Sequence, residues 1–168
     1  MVREISAGGV VIRRRDGTWW MAAIEPAGEP ANKKDGESDS GATRPKPKKK
    51  VLALPKGLVD PGEKPLATAL REVHEETGVI AEEIAKLADI KYIYSRSWGD
   101  RQRVFKIVSF YLMRYVSGRI DQIAAEMRVE VARARWIPLE DGTKLLAYKG
   151  EKQMAKRAHE YVLEHPEL

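Results

Sequence analysis

A chain of 168 residues is long enough for one domain with a sizeable core. Its 43% hydrophobic and 33% charged residues are ordinary for a globular protein, and the absence of cysteine excludes a disulfide framework and thiolate chemistry. No apolar run approaches a membrane span, and the N-terminus MVREISAGGVVIRRR has no cleavable signal pattern, so the expected location is the cytoplasm and no membrane partner is expected. The net charge of +5 sits partly in one stretch, which makes it weak support for nucleic acid as a partner. A basic surface attracts polyphosphate substrates equally well.

In chain order, residues 4–14 read as a strand in which β-branched residues follow the small step Ala7-Gly8-Gly9. Asp16-Gly17 is a hairpin signal, and residues 18–25 are the partner strand. Residues 26–50 then carry Gly, Pro, Lys, Asp and Ser with almost no large apolar side chain, and end in the basic run Arg44 to Lys50. This composition predicts a flexible insertion within a single domain spanning 1–168. Deleting residues 28–46 is expected to leave the melting temperature and turnover nearly unchanged. Loop length alters closure entropy only by about 0.6 kcal/mol per doubling. A large fall in a thermal melt would show instead that the segment packs as part of the domain.

Residues 51–55 (VLALP) predict a short apolar strand running into a glycine turn. A helix follows. Pro65 suits its first turn, and Gly78 suits the left-handed position past its end. Leu66, Ala69, Leu70 and Val73 form an apolar stripe at helical spacing, while Glu72, Glu75 and Glu76 form a second, acidic face. Glu72 and Glu76 are like charges one turn apart, at a cost of roughly 0.2–0.5 kcal/mol. Glu75 and Glu76 also meet the negative end of the helix dipole, roughly 0.3–1 kcal/mol each. Arg71 offsets part of this through Glu75. A carboxylate face of this kind is an oxygen-ligand site for a hard cation such as Mg²⁺, with Mn²⁺ as a substitute. Gly57, at the turn, can add its backbone carbonyl because a glycine allows close approach.

Beyond the helix, residues 86–97 and 103–116 alternate as strands around Trp98-Gly99-Asp100, the second long and apolar enough to be central. Residues 131–137 give another strand and 139–147 a short helix. Residues 151–164 give a terminal amphipathic helix with Met154, Ala158, Tyr161 and Val162 inward. The three histidines, His74, His159 and His165, form no ligand-spaced set, and no serine sits in a nucleophile elbow. The order of strands, helix, strands, helix fits an α/β sandwich with a mixed sheet.

The run Gly57–Val79 (GLVDPGEKPLATALREVHEETGV) resembles the signature of the Nudix hydrolases at every specified position. Gly57, Glu63, Arg71, Glu72, Val73, Glu75, Glu76, Gly78 and Val79 carry the match. The resemblance implies an α/β/α sandwich with a mixed β-sheet and the catalytic helix turned to a cleft. It also implies hydrolysis of a phosphoric anhydride in a nucleoside diphosphate linked to another group, with Mg²⁺ as cofactor. Glu72, Glu75 and Glu76 are the expected ligands. Glu63 is expected to orient another glutamate or a bound water, and Arg71 to brace the carboxylates through a bidentate pair. Family members carry a further ligating or basic glutamate near Glu130, with Glu126 as its competitor here. The general base stays open among Glu75, Glu76 and Glu130.

Substrate choice lies outside the signature. The entry Leu54-Pro55-Lys56-Gly57 resembles dinucleoside polyphosphate and diphosphoinositol polyphosphate hydrolases, with Lys56 placed to hold a phosphate. Tyr94, or Tyr92, lies near where the dinucleoside group carries a base-stacking tyrosine. Lys106, in FKIVSFYLM, is a further candidate facing the cleft. Members acting on ADP-ribose carry a proline near Tyr94, and this chain has none between Pro65 and Pro138. The leading expectation is a Mg²⁺-dependent hydrolase of dinucleoside polyphosphates. The alternatives are an oxidised nucleoside triphosphate pyrophosphohydrolase, a diphosphoinositol polyphosphate hydrolase, or a non-catalytic binding module using Arg44 to Lys50.

Overall fold

In the computed structural model the described residues are 2–28, 51–96, 99 and 101–168. Six strands form one mixed sheet: β1 (Val2–Arg15), β2 (Thr18–Pro26), β3 (Lys56–Leu58), β4 (Val79–Ser95), β5 (Arg103–Gly118) and β6 (Val131–Pro138). Their order is β4-β5-β1-β2-β6, with β3 paired to β1 off this path. β1 and β5 run parallel and the other pairs antiparallel. Three helices accompany the sheet: α1 (Pro65–Thr77), the single turn α2 (Gly142–Leu145) and α3 (Lys149–Glu164).

The period of two along a strand explains the layers. Val10 and Ile12 of β1, with Val108, Phe110 and Leu112 of β5, point to one face and pack with Met154, Ala155, Ala158 and Val162 of α3. Ala7 and Val11, with Tyr111 and Met113, point to the other and meet Ala69 and Val73 of α1. Both faces of the central strands are therefore covered, and for that reason they read as nearly continuous apolar runs. Each fully buried aliphatic side chain contributes roughly 1.5–3 kcal/mol relative to exposure. The result is the expected α/β/α sandwich.

Several boundaries differ from the expectation. Residues 52–55 are buried and Val51 is exposed, but the segment contributes only a bridge, Ala53 with Ile24, and strand pairing falls on β3 against Ser6–Gly8. Pro55 has no N–H to give a ladder. Strand β4 begins at Val79, directly after the helix, rather than at 86. Register shifts at Ile80/Ala81, Glu83/Ala85 and Lys86/Ala88 break the alternation that would have revealed its first half. The expected helix at 139–147 is a 3-10 turn, Leu139–Asp141, followed by α2. Helix α3 starts at Lys149, which brings Glu151 into its first turn.

Of the expected insertion at 26–50, Pro26 closes β2 and the Ala27 N–H donates to the Glu130 carbonyl at 2.9 Å. Residues 29–50, with the basic run Arg44 to Lys50, lie outside the described residues, as do Ser97, Trp98 and Asp100. Among the described residues no helix is long and apolar enough to cross a membrane.

Candidate active site

Helix α1 is entered through Pro65 and left through Gly78, whose φ of 82° is the left-handed cap. The Gly78 N–H closes on the His74 carbonyl at 2.9 Å. Ala69 and Val73 fix the helix to the sheet, and this rotation carries Glu72 and Glu76 inward against β3. Glu76 Oε1 accepts the Lys56 N–H at 2.7 Å. Glu72 lies where a Cβ on Gly57 would overlap its carboxylate, so only glycine leaves it that room.

Burial pushes the Glu76 carboxyl up to about 8, against the lowering effect of the Lys56 N–H, and repulsion from Glu72 and Glu130 adds to the rise. Glu72 is also raised, first by burial, with Arg71 pulling the other way. These are acids held together in a low dielectric, where each disfavours the charge of the next.

Arg71 is a clasp. Its Nε and Nη2 form a bidentate pair with Glu63, both at 2.9 Å, and its Nη1 reaches Glu72 at 2.9 Å and Glu75 at 3.2 Å. Thr68 Oγ1 also donates to Glu63, and the Arg71 and Thr68 hydrogen bonds hold the Glu63 carboxyl down to about 2. Both Glu63 oxygens are thus engaged. Glu63 bonds to neither Glu72 nor Glu76, and influences the acids through Arg71 instead of orienting a glutamate directly. Glu75 is the most open of the three helix glutamates, its side chain 39% exposed.

A cavity of about 640 Å³ opens beside this face. Lys56, Glu76 and Glu130 line one part of it, Tyr92 and Tyr148 another, and Val108 and Phe110 are among its apolar walls. Both candidate acids after β5 are exposed, but Glu130 lines the cavity, whereas Glu126, in the 3-10 turn Ala125–Val129, is not among its lining residues. Of the two candidate tyrosines, Tyr92 lines it. Tyr94, with its ring 6.2 Å away, donates its hydroxyl to Glu4 Oε2 at 2.8 Å. Lys106 is half-buried beside the same acid, 3.9 Å from Glu4 Oε2, and is not among the lining residues. The structure therefore brings together Lys56, Gly57, Glu72, Glu76 and Glu130, with Glu75, Arg71 and Glu63 behind them. Tyr94 is held by Glu4, and Lys106, the cross-strand partner of Tyr92, lies next to the lining residues without being one of them.

Two polar lining residues were not anticipated, Tyr148 and Glu151. Glu151 is 4% exposed, and it accepts from the Leu54 N–H and the Lys56 ammonium, both at 2.6 Å. Its one sequence signal is position: 151, 154, 155, 158 and 162 form a single buried stripe on α3.

The donor set suits a hard divalent cation in kind. Glu72, Glu76 and Glu130 supply carboxylate oxygens, two of these acids are buried, and their repulsion is what a cation relieves. Among the described residues no group of three His, Cys, Asp or Glu side chains is close enough together to hold a metal ion as it stands, so a cation would have to draw these carboxylates in.

A family model described as the NUDIX domain matches residues 40–158. The chain is 33% identical over 162 residues to the Mycobacterium tuberculosis (strain CDC 1551 / Oshkosh) protein designated MutT4; the match covers 96% of this chain but only 56% of that one. It is 32% identical over 114 residues to the asymmetrical bis(5'-nucleosyl)-tetraphosphatase of Mus musculus, covering 67% of this chain and 72% of the relative. Among solved structures, an Ap4A hydrolase of C. elegans in a binary complex superposes with a TM-score of 0.64 at 20% identity, covering 96% of this chain and 98% of that one. At that identity the last likeness speaks for the fold alone.

Proposed function

This chain belongs to the Nudix hydrolase family, and on that premise we propose that it hydrolyses a phosphoric anhydride in dinucleoside polyphosphates such as diadenosine tetraphosphate, with Mg²⁺ as cofactor. One observation carries the reading. The same cavity joins two acids, an ammonium and two tyrosines: buried Glu76 and exposed Glu130, Lys56, then Tyr92 and Tyr148. A polyphosphate with an aromatic base at its end needs those three environments in one cleft.

Glu72, Glu75, Glu76 and Glu130, with the Gly57 carbonyl, would hold the cation, which supplies positive charge against the phosphate oxygens. Arg71 keeps Glu72 and Glu75 in place while its own charge is spent on Glu63. Tyr92 or Tyr148 offers a stacking face, worth about 1–3 kcal/mol for a base. Lys56 meets a phosphate beyond the reach of the acids. The proton of the attacking water passes to a carboxylate of the set.

The mouse relative supports this reading. The same acids and ammonium in one cavity would also serve a second reading, an oxidised nucleoside triphosphate pyrophosphohydrolase. A product screen over nucleoside polyphosphates with Mg²⁺ separates them: diadenosine tetraphosphate leads in the first case, triphosphates releasing pyrophosphate in the second. No turnover of any member would favour a binding module.

Lys56→Ala is expected to change the ratio of kcat/KM between diadenosine tetraphosphate and a nucleoside diphosphate derivative by roughly tenfold, the size of one charge-assisted hydrogen bond. Long phosphate chains reach the ammonium and short ones do not. Equal losses on both substrates would assign Lys56 to the turn, not to a phosphate.

A further inference from the structure

Glu151 sits at an inward position of α3, where an ionised side chain needs partners to be tolerated. Its two oxygens divide the work. Oε1 accepts the Leu54 N–H at 2.6 Å and Oε2 pairs with Lys56 Nζ at 2.6 Å. Pro55 between them has no N–H, so Glu151 grips the chain on either side of it. The next link leads to the site: the Lys56 N–H donates to Glu76 Oε1 at 2.7 Å. One residue thus has its side chain on a carboxylate of α3 and its backbone on a carboxylate of α1.

The pair is unequal. The Glu151 side chain is 5% exposed and the Lys56 side chain 27%. Glu151 cannot swing out, whereas the ammonium faces the cavity, 5.6 Å from the centre of the Tyr148 ring. The lysine is therefore held at one point with part of its charge cancelled. An unpaired ammonium would bind a phosphate as tightly before reaction as during it, and uniform binding of that kind does not accelerate a chemical step.

We propose that Glu151 is a positioning residue for the hydrolytic reaction: it fixes and tempers the Lys56 ammonium, so that a substrate phosphate is guided but not trapped. This rests on the reading that Lys56 meets a substrate phosphate.

The test uses the full chain and four forms: parent, Glu151→Gln, Lys56→Ala and the double variant. Glutamine keeps an acceptor for the Leu54 N–H and removes the charge facing Lys56. Three quantities are read at fixed Mg²⁺: kcat, KM and the equilibrium affinity for inorganic tripolyphosphate. In Glu151→Gln, tripolyphosphate should bind about threefold tighter, the scale of a part-exposed ion pair, and KM should fall with it. The same change should lower kcat about tenfold, as loss of a supporting partner does. In the Lys56→Ala background, the Glu151 change should move neither affinity nor KM. A purely structural Glu151 would lower kcat and the melting temperature without tightening polyphosphate binding, and that result overturns the proposal. So does an effect of equal size with and without Lys56. Should Glu151→Gln fail to fold, Glu151→Asp shortens the reach and should give smaller changes of the same signs. Unchanged or weaker tripolyphosphate binding there overturns the proposal as well. If the parent hydrolyses no nucleotide, the functional reading fails while the tripolyphosphate arm still decides the role of Glu151.

Discussion

Glu76→Gln is expected to lower kcat/KM by about 100-fold or more, the lower range for losing a positioned proton acceptor. It should also raise the melting temperature of the metal-free protein above neutral pH. Burial lifts the Glu76 carboxyl from 4.5 to about 8 in the folded chain. The folded chain therefore holds a proton that the unfolded chain releases above about pH 4.5. The stability linked to that proton is complete below pH 4.5 and is lost as pH rises through about 8. Glutamine has no proton to lose and still accepts the Lys56 N–H. The advantage of the variant should thus grow with pH, to on the order of 2–4 kcal/mol after relaxation around a charged acid. Melts of both forms at pH 5.5, 7 and 8.5, with and without Mg²⁺, check this. Added Mg²⁺ should raise the parent more than the variant, because a ligand stabilises only the state that binds it. A variant melting well below the metal-free parent at pH 8.5 would make Glu76 a structural acid.

That prediction was already visible in the spacing of Glu72 and Glu76. A helix has one period, so two acids one turn apart must share a face whatever surrounds it. Arg71 was legible for the same reason. Its pairing with Glu63 was less so, because it depends on the Asp60–Glu63 turn, where the Glu63 N–H closes on the Asp60 carbonyl at 2.9 Å. The apolar run of β5 likewise declared a central strand.

Long-range register was not legible. Tyr92 and Tyr94 are two residues apart and share a strand face, so the alternation cannot rank them. Which one reaches the cavity depends on how β4 slides along β5, and three register shifts set that. Glu151 was hidden for another reason. A glutamate in the first turn of a helix is ordinary, since it suits the positive end of the dipole. Only its coincidence with the buried stripe distinguishes it, and its partners lie 95 and 97 residues away in sequence. Lys106 pairs with Tyr92 across β4 and β5, on the face of Val108 and Phe110, so its place in the apolar run put it on the cavity face but did not reveal Glu4, 3.9 Å away on the adjacent strand.

Gly57→Ala is expected to lower kcat/KM on the order of 100-fold, as misplacement by about 1 Å near reacting groups does. The melting temperature should shift by less than about 4 °C, or roughly 1 kcal/mol for a chain of this size. The two readouts separate because of what the new methyl group would meet. A Cβ on Gly57 overlaps the carboxylate of Glu72, the far end of a flexible side chain. The three atoms nearest the new Cβ all belong to that side chain, and Gly57 is not among the glycines with positive φ, so alanine fits the local conformation. The strain is relieved when Glu72 swings aside. That movement withdraws one buried carboxylate from the set and breaks its 2.9 Å contact with Arg71. Mg²⁺ affinity should fall together with activity. Gly78→Ala makes the contrast. There φ is 82°, and the new Cβ would press on the Arg119 and Gln122 carbonyls. A left-handed backbone and rigid neighbours leave no inexpensive way out, so that variant should lose stability first. Measured side by side, Gly57→Ala should remain folded and lose its function, and Gly78→Ala should melt early. If Gly57→Ala keeps full activity and Mg²⁺ affinity, Glu72 has no part in the reaction, and the cation belongs on Glu75, Glu76 and Glu130 without it.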